Sequence, residues 1–204
     1  MGLLTIIRKQ KIRDKEVRCL VLGLDNAGKS SVVDWVLWSC TGKIRSEVTP
    51  TIGFRIHTVP FAARNVQLWD IGGQSTLRPY WDNYFDKTDV LLWVIDATAP
   101  RRVDESIAEL TNLLRDRDRI GYNCRIIVLL NKVDLVSDAA DLAASLEQQL
   151  QDMLRLSNIP LSMRPTSTVT GQGLEGLMPE VVADALAVPE PRDHHATTAT
   201  ASST

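Results

Sequence analysis

Cysteine is scarce in this chain, and so are the patterns that announce covalent or metal chemistry. Cys19, Cys40 and Cys124 are the only three thiols in 204 residues. No CxxC pair or Cys/His cluster joins them, which excludes a disulfide framework and a zinc site and predicts reduced thiols in the cytosol. The three histidines include His194 and His195 side by side near the C-terminal end, and no histidine stands in a motif for a strong general base. Long apolar runs are missing: nothing approaches the length that spans a bilayer. The opening MGLLTIIRK is too short, with its charges on the wrong side, for a secretory signal. An excess of one charge is absent as well. With 23 Lys and Arg against 25 Asp and Glu, the net charge of -2 excludes nucleic-acid binding by bulk electrostatics. The expectation is one domain, large enough to cover a sheet on both faces, in a protein that is cytoplasmic or nuclear unless something attaches it to a membrane.

What is present is an alternation of strand and helix patterns. VRCLVLG (17–23), VLLWVID (90–96) and RIIVLLN (125–131) are apolar throughout, as strands buried on both faces are. FRIHTV and NVQLWD alternate instead, and with the connecting turn PFAAR they predict a hairpin at the sheet edge. LSMRPT is a sixth strand that Pro165 confines to an edge or to its last residues. Helical patterns cover Lys29 to Trp38, Val103 to Asp118, Ala139 to Leu156 and Leu174 to Ala187, with a weaker one around Leu77 to Phe85. The fold class is therefore α/β, a six-stranded and mostly parallel sheet with helices on both faces. Residues 17–188 form this domain, and the low-complexity residues 189–204 are expected to be disordered. Trp35 and Trp38, at i, i+3 spacing, read as core packing.

Between the first buried strand and the first helix stands GLDNAGKS, a match to GxxxxGK[ST] in the context that pattern requires. Gly23 and Gly28 let the backbone turn its N–H groups onto a phosphate, and the helix adds its positive end. Lys29 supplies a cation for the β- and γ-oxygens, and Ser30 a hydroxyl ligand for Mg²⁺. Asp25, Asn26, Ala27 and Ser31 complete the set expected to touch the nucleotide. The loop alone does not say which base is bound.

NKVD, Asn131 to Asp134, answers for the base. It ends the third buried strand, at the edge where open α/β sheets bind ligands. A carboxylate at Asp134 accepts from both guanine donors; against adenine it would be left unpaired, at about 1–3 kcal/mol or more. Lys132 can lay its stem on the purine face with its head on the phosphate loop. Alone, the four letters fit a helix N-cap equally well; at this distance after a phosphate loop they point to guanine. WDIGGQ and PTIGF supply a sensor for the third phosphate. Asp70 can reach Mg²⁺ through a water, Thr51 can complete the metal shell, the Gly73 N–H can meet the γ-phosphate, and Gln74 can orient an attacking water.

GLDNAGKS, PTIGF, WDIGGQ and NKVD, in that order, resemble the small GTPases of the ADP-ribosylation-factor (Arf) family over roughly residues 1–186. The double glycine before Gln74 and the run RPYWDNYF after it are Arf-type rather than Ras-type. The opening MGLLTI is most similar to the branch of Arf-like proteins two and three. The resemblance makes TSTVTG the last guanine-binding loop, with Ser167 and Thr168, the latter acting through its backbone N–H. Val133 and Thr168 stand where the family usually has Gln and Ala, and the segment before Pro50 is longer than usual.

The resemblance implies a P-loop small G domain that binds GTP or GDP with Mg²⁺ and hydrolyses GTP slowly, with an exchange factor, an activating protein and effectors as partners. It implies a hairpin that slides by two residues between nucleotide states, a slip that keeps every side chain on its face. Phe54, Trp69 and Tyr84 match the aromatic cluster that meets effectors. Residues 1–16 are read as an amphipathic helix (Leu3, Leu4, Ile6 and Ile7 on one arc) with a basic linker, released for weak or transient membrane contact. Acylation of Gly2 is not expected, because Ile6 stands where the consensus needs Ser or Thr. The implied effectors are carriers of lipidated proteins or a tubulin-folding cofactor, in cytoskeletal or ciliary traffic, bound by a monomer. A GTP-binding scaffold without significant hydrolysis is the alternative, against which Gln74 speaks. A kinase on the same loop would lack an arginine-rich lid and leave NKVD unexplained.

Overall fold

In the computed structural model, the described residues are 16–45, 49–85, 88–115, 124–154 and 159–186. The amphipathic helix expected over 1–16 and the tail expected from 189 lie almost wholly outside them. Six strands, β1 (Glu16–Leu22), β2 (Phe54–Phe61), β3 (Arg64–Ile71), β4 (Val90–Asp96), β5 (Arg125–Asn131) and β6 (Leu161–Pro165), form one sheet in the order β2-β3-β1-β4-β5-β6. Only β2 and β3 pair antiparallel; the other four pairings are parallel. Helices α1 (Lys29–Thr41), α2 (Pro100–Arg115), α3 (Ala139–Leu154) and α4 (Leu177–Leu186) make the connections or follow the last strand, with 3₁₀ turns at Arg78–Tyr84 and Val133–Leu135. The mostly parallel six-stranded sheet is as expected.

The apolar strands are buried on both faces because two helix layers cover them. Leu20, Leu22, Trp93, Val128 and Leu130 pack with Ile107, Leu110, Leu146 and Leu150 of α2 and α3. Cys19, Val21, Leu92, Val94 and Leu129 pack on the other side with Val32, Val33 and Val36 of α1 and Leu177 and Val181 of α4. Each full burial of such a side chain is worth about 1.5–3 kcal/mol. Trp93 satisfies its indole N–H within the core on Ser106 Oγ at 3.0 Å. Burial pushes the Cys19 thiol far above its ordinary range and that of Cys124 up to about 12, whereas Cys40, near the end of α1, is half-buried.

Several boundaries differ from the sequence expectation. The β2–β3 turn is only Ala62 and Ala63, and Pro60 and Phe61 belong to the strand. Both alanines take the left-handed conformation, φ 48° and 58°, which the two-residue turn between right-twisted strands demands. Helix α2 starts at Pro100, three residues early, because proline suits the first helical position. Helix α1 continues past Trp38 to Thr41 and stops at Gly42, whose N–H caps the Trp38 carbonyl at 2.8 Å. The last helix begins at Leu177 rather than Leu174, after a glycine-rich series of turns. The segment around Leu77 is a 3₁₀ helix. Trp38 is not core: it is 45% exposed, while Trp35 is buried.

Candidate functional site

The C-terminal ends of β1, β3, β4 and β5 open onto one groove, and the loops there carry the motif residues. Gly23 has φ 138° and Gly28 φ 96°. A Cβ at Gly23 would overlap the Val94 carbonyl oxygen, and one at Gly28 the amide nitrogen of Asn131. The loop is thus pressed so closely on β4 and β5 that only glycine fits. Lys29 is buried and folds its ammonium back over the loop onto the carbonyls of Gly23 and Leu24, at 3.0 and 2.9 Å. Burial pushes its pKa down to about 8 despite the pull of Asp70 and Asp25. A buried cation at the start of a helix, on a loop between strand and helix, is the complement of a polyphosphate.

Ser30 Oγ donates to Asp70 Oδ2 at 2.6 Å, Thr51 Oγ1 donates to the same oxygen at 3.0 Å, and the two hydroxyls lie 2.9 Å apart. The other Asp70 oxygen is buried and has no partner among the described residues. Two hydroxyls beside an orphaned carboxylate oxygen fit Mg²⁺, which takes few protein ligands and completes its shell with phosphate and water. Among the described residues no group of three or more His, Cys, Asp or Glu is available to cage a metal alone. Ser30, Thr51 and Asp70 are therefore the residues that could hold the ion.

The double glycine is explained by crowding. A Cβ on Gly72 would stand 2.5 Å from Leu77 Cδ1 and 2.8 Å from the Thr51 carbonyl oxygen, and one on Gly73 would overlap the Asp25 nitrogen, Leu24 and the Lys29 ammonium. The Gly73 carbonyl accepts from the Asp25 N–H at 3.1 Å, so the WDIGGQ segment lies directly on the phosphate loop. Gln74 follows with an exposed side chain. An ion-pair network that the sequence does not reveal holds this segment. Arg78 donates to the Gly73 carbonyl at 3.3 Å and to Glu105 and Glu109 of α2 at 2.7 and 2.9 Å. Arg102 reaches Asp25 of the loop at 2.7 Å, and that hydrogen bond holds the Asp25 carboxyl below its usual range. The one legible signal is the pair Glu105 and Glu109, one helical turn apart.

At the base end, Asn131 is buried and donates to the Ala27 carbonyl at 2.9 Å, tying β5 to the phosphate loop, while its side-chain oxygen has no partner among the described residues. Lys132, at φ 65°, does not send its head to the phosphate loop as expected. It donates to Asp96 Oδ2 at 2.6 Å, a carboxylate that the pairing of β4 with β5 sets opposite the neighbouring Asn131, while the loop carbonyls of Gly23 and Leu24 accept from Lys29. Burial would raise the Asp96 carboxyl, but the bonds from Lys132 and Thr98 outweigh it and hold it low. Asp134 is exposed at the rim rather than buried, so desolvation there waits for a base to cover it. Ser167 and Thr168 are buried beside it. The Ser167 hydroxyl accepts the N–H groups of Val169 and Thr170 at 3.2 and 3.1 Å, which curls the loop at the end of β6. Asp25 and Ser31 are half-buried, Ala27 is buried and Asn26 is exposed with φ 62°, all lining the same loop.

Beside the groove the three expected aromatics form a cluster. Phe54 stacks on Trp69 at 6.1 Å, and Tyr84 lies 5.8 and 6.4 Å from the two. The Arg18 guanidinium sits 3.8 Å from the Trp69 ring centroid and donates to the Tyr84 carbonyl at 3.2 Å. Phe54 is half exposed and Ile52, Ile56 and Tyr80 are exposed, so the cluster is a surface and not a core.

Residues 3–185 match the model of the ADP-ribosylation factor family. The chain is 40% identical to ADP-ribosylation factor-like protein 2 of Dictyostelium discoideum over 184 residues, 90% of this chain and 95% of that protein. It is 42% identical to ADP-ribosylation factor-like protein 3 of Chlamydomonas reinhardtii over 176 residues, 86% and 94% of the two chains. Among solved structures, the Arl6 BBS3 small GTPase from Trypanosoma brucei with bound nucleotide analogue GppNp superposes with a TM-score of 0.71 over 83% of this chain and 97% of that one. At 21% identity that likeness shows the fold. The chain belongs to the ADP-ribosylation factor family: it is a small GTPase that binds GTP and GDP with Mg²⁺, hydrolyses GTP and acts as a regulatory switch.

Proposed function

We propose that the switch reads the third phosphate through Thr51 and Gly73 and signals to effectors through Phe54, Trp69 and Tyr84. The observation that carries this reading is the convergence of Ser30, Thr51 and Asp70 on one point beside the phosphate loop. Lys29 and the loop amides bind the β- and γ-phosphates, and Ser30, Thr51 and Asp70 hold Mg²⁺, which neutralises charge there. Asn131, Lys132, Asp134 and the Thr168 N–H hold the guanine. Gln74 orients the attacking water. Arg78 and Arg102 are tied up with carboxylates, so a stabilising arginine comes from the activating protein, a contribution of about 10³–10⁵ in rate. Intrinsic turnover is slow.

Identity of 40–42% with Arf-like proteins 2 and 3 supports effectors that carry lipidated proteins, or a tubulin-folding cofactor, and a role in microtubule or ciliary traffic. In this reading the protein is a cytoplasmic monomer with three parts: residues 17–188 as the switch domain, 1–16 as a releasable amphipathic helix, and 189–204 as a tail. The test is a pull-down with the full chain, loaded with a non-hydrolysable GTP analogue or with GDP, against a prenyl-binding carrier and a tubulin-folding cofactor. Retention by one of them in the GTP form alone is expected; equal retention in both forms would remove the effector assignment.

A further inference from the structure

Trp35 and Trp38 pack against each other but differ in burial. Trp38 is 45% exposed, and Trp35 is 7% exposed with its indole turned onto the loop after β6. A Cβ placed on Gly171 would stand 3.4 Å from Trp35 Nε1, 3.6 Å from Cζ2 and 3.8 Å from Cε2, so the loop backbone lies in contact range along one edge of the indole. Trp38 packs edge-on against Trp35, ring centroids 6.0 Å apart at 66°, and covers it from solvent.

The hydrogen bonds of this loop shape it, and on its far side the Gly171 carbonyl accepts from the N–H of buried Leu174 at 3.1 Å. Gly171 N–H donates to the Ser167 carbonyl at 2.9 Å, Ser167 N–H donates to the Gln172 carbonyl at 3.0 Å, and Thr166 N–H ties the root to the Leu130 carbonyl at 2.7 Å. Those bonds close the turn on itself and join it to β5. Toward α1, the Gly171 backbone faces the Trp35 indole, and Leu174 shares a core cluster with α1. Helix α1 begins at Lys29 and Ser30, so one rigid element touches the phosphate end of the groove with its first turn and the base end with its second.

We propose that Trp35 is a positioning residue of the base site. It holds the turn 167–171 against α1 so that the Thr168 N–H stays aimed at the guanine oxygen, and it thereby lengthens the residence of the nucleotide. The inference rests on the assignment of this turn to base recognition. A truncated side chain at position 35 leaves a space under Gly171 into which the turn can rock, and the base contact becomes intermittent.

The test is release of fluorescent mant-GDP from the full-length protein into excess GDP, alongside the mant-diphosphate of 2-aminopurine riboside, which lacks the guanine oxygen and the N1–H and keeps the exocyclic amine for Asp134, each variant being compared with the parent on the same nucleotide. Trp35→Leu is expected to speed mant-GDP release by about tenfold, the scale of one lost packed contact. Trp35→Phe should fall between it and the parent, and Trp38→Leu should release at the parent rate. None of the three should change release of the 2-aminopurine nucleotide. Parent-rate release of mant-GDP from both Trp35 variants overturns the proposal, and so does equal acceleration of the two nucleotides, which would mark Trp35 as mere core. A parent protein that fails to retain mant-GDP would instead remove the base-site assignment itself.

Discussion

The Thr51 hydroxyl lies 2.9 Å from the Ser30 hydroxyl, across 21 residues of chain, and both donate to one oxygen of Asp70. Three segments that are independent in sequence (the phosphate loop, PTIGF and the end of β3) are thereby drawn to a single point. Thr51→Ala should leave GDP affinity within about twofold and weaken a GTP analogue by about tenfold, the value of one hydrogen bond to a charged centre. Competition binding in Mg²⁺ reads the ratio directly, and an unchanged ratio would take Thr51 out of the sensor.

Gly73 has no room for a side chain. Its Cβ would collide with the backbone of the phosphate loop as well as with Lys29. Gly73→Ala must therefore displace the phosphate loop or Lys29, so it should weaken GDP binding as well as slow GTP hydrolysis, the latter by on the order of 100-fold, as for the loss of one preorganised donor. Single-turnover hydrolysis at the parent rate would show that the close approach is irrelevant to the chemistry.

Asp134 is exposed and becomes desolvated only under a bound base. Exchanging its carboxylate for an amide inverts the donor and acceptor pattern. Asp134→Asn should lose GTP affinity by about 10–100-fold and gain affinity for xanthosine triphosphate. Equal GTP binding by variant and parent would refute the guanine assignment.

Burial pushes the Lys29 ammonium down to about 8, against an ordinary 10.5. Its folded-state value lies below the unfolded one, so the unfolded chain binds the extra proton between these limits. Burying the charged amine destabilises the fold fully below about pH 8, and that penalty fades as pH rises toward 10.5. Bound phosphates restore the charge. Nucleotide binding at pH 8.5 to 9 should accordingly take up protons, measured by calorimetry in two buffers of different ionisation enthalpy. No buffer dependence would mean that the amine is already charged.

Ala62 and Ala63 both occupy left-handed backbone at φ 48° and 58°. Such a conformation costs roughly 1–2 kcal/mol for a residue with a Cβ. Replacing the pair by Asn-Gly should stabilise the fold by about 1–2 kcal/mol and raise the melting temperature by several degrees. A lower melting temperature would mean that the turn is not under this strain.

The strands that carry the site were legible because burial on both faces leaves an unbroken apolar signature, as in β4 and β5. The glycines were legible because close approach excludes every other residue. Ala62 and Ala63 carry no such mark: their conformation is imposed by the twist of the strands they join. The direction of the Lys132 head was not legible either, since it depends on Asp96, 36 residues away and brought near only by the pairing of β4 with β5. Arg78 and its carboxylates escaped for the same reason, being 27 and 31 residues apart. The separate fates of Trp35 and Trp38 follow from the loop after β6 covering one turn of α1 and not the next.

The burial of two thiols leaves a practical handle. Cys19 and Cys124 are sealed in the core and held protonated, so a maleimide dye at neutral pH has Cys40 as its one accessible target. That position lies two residues beyond Trp38, near the end of α1. The unmodified chain can thus be tagged at a single point without any engineered substitution.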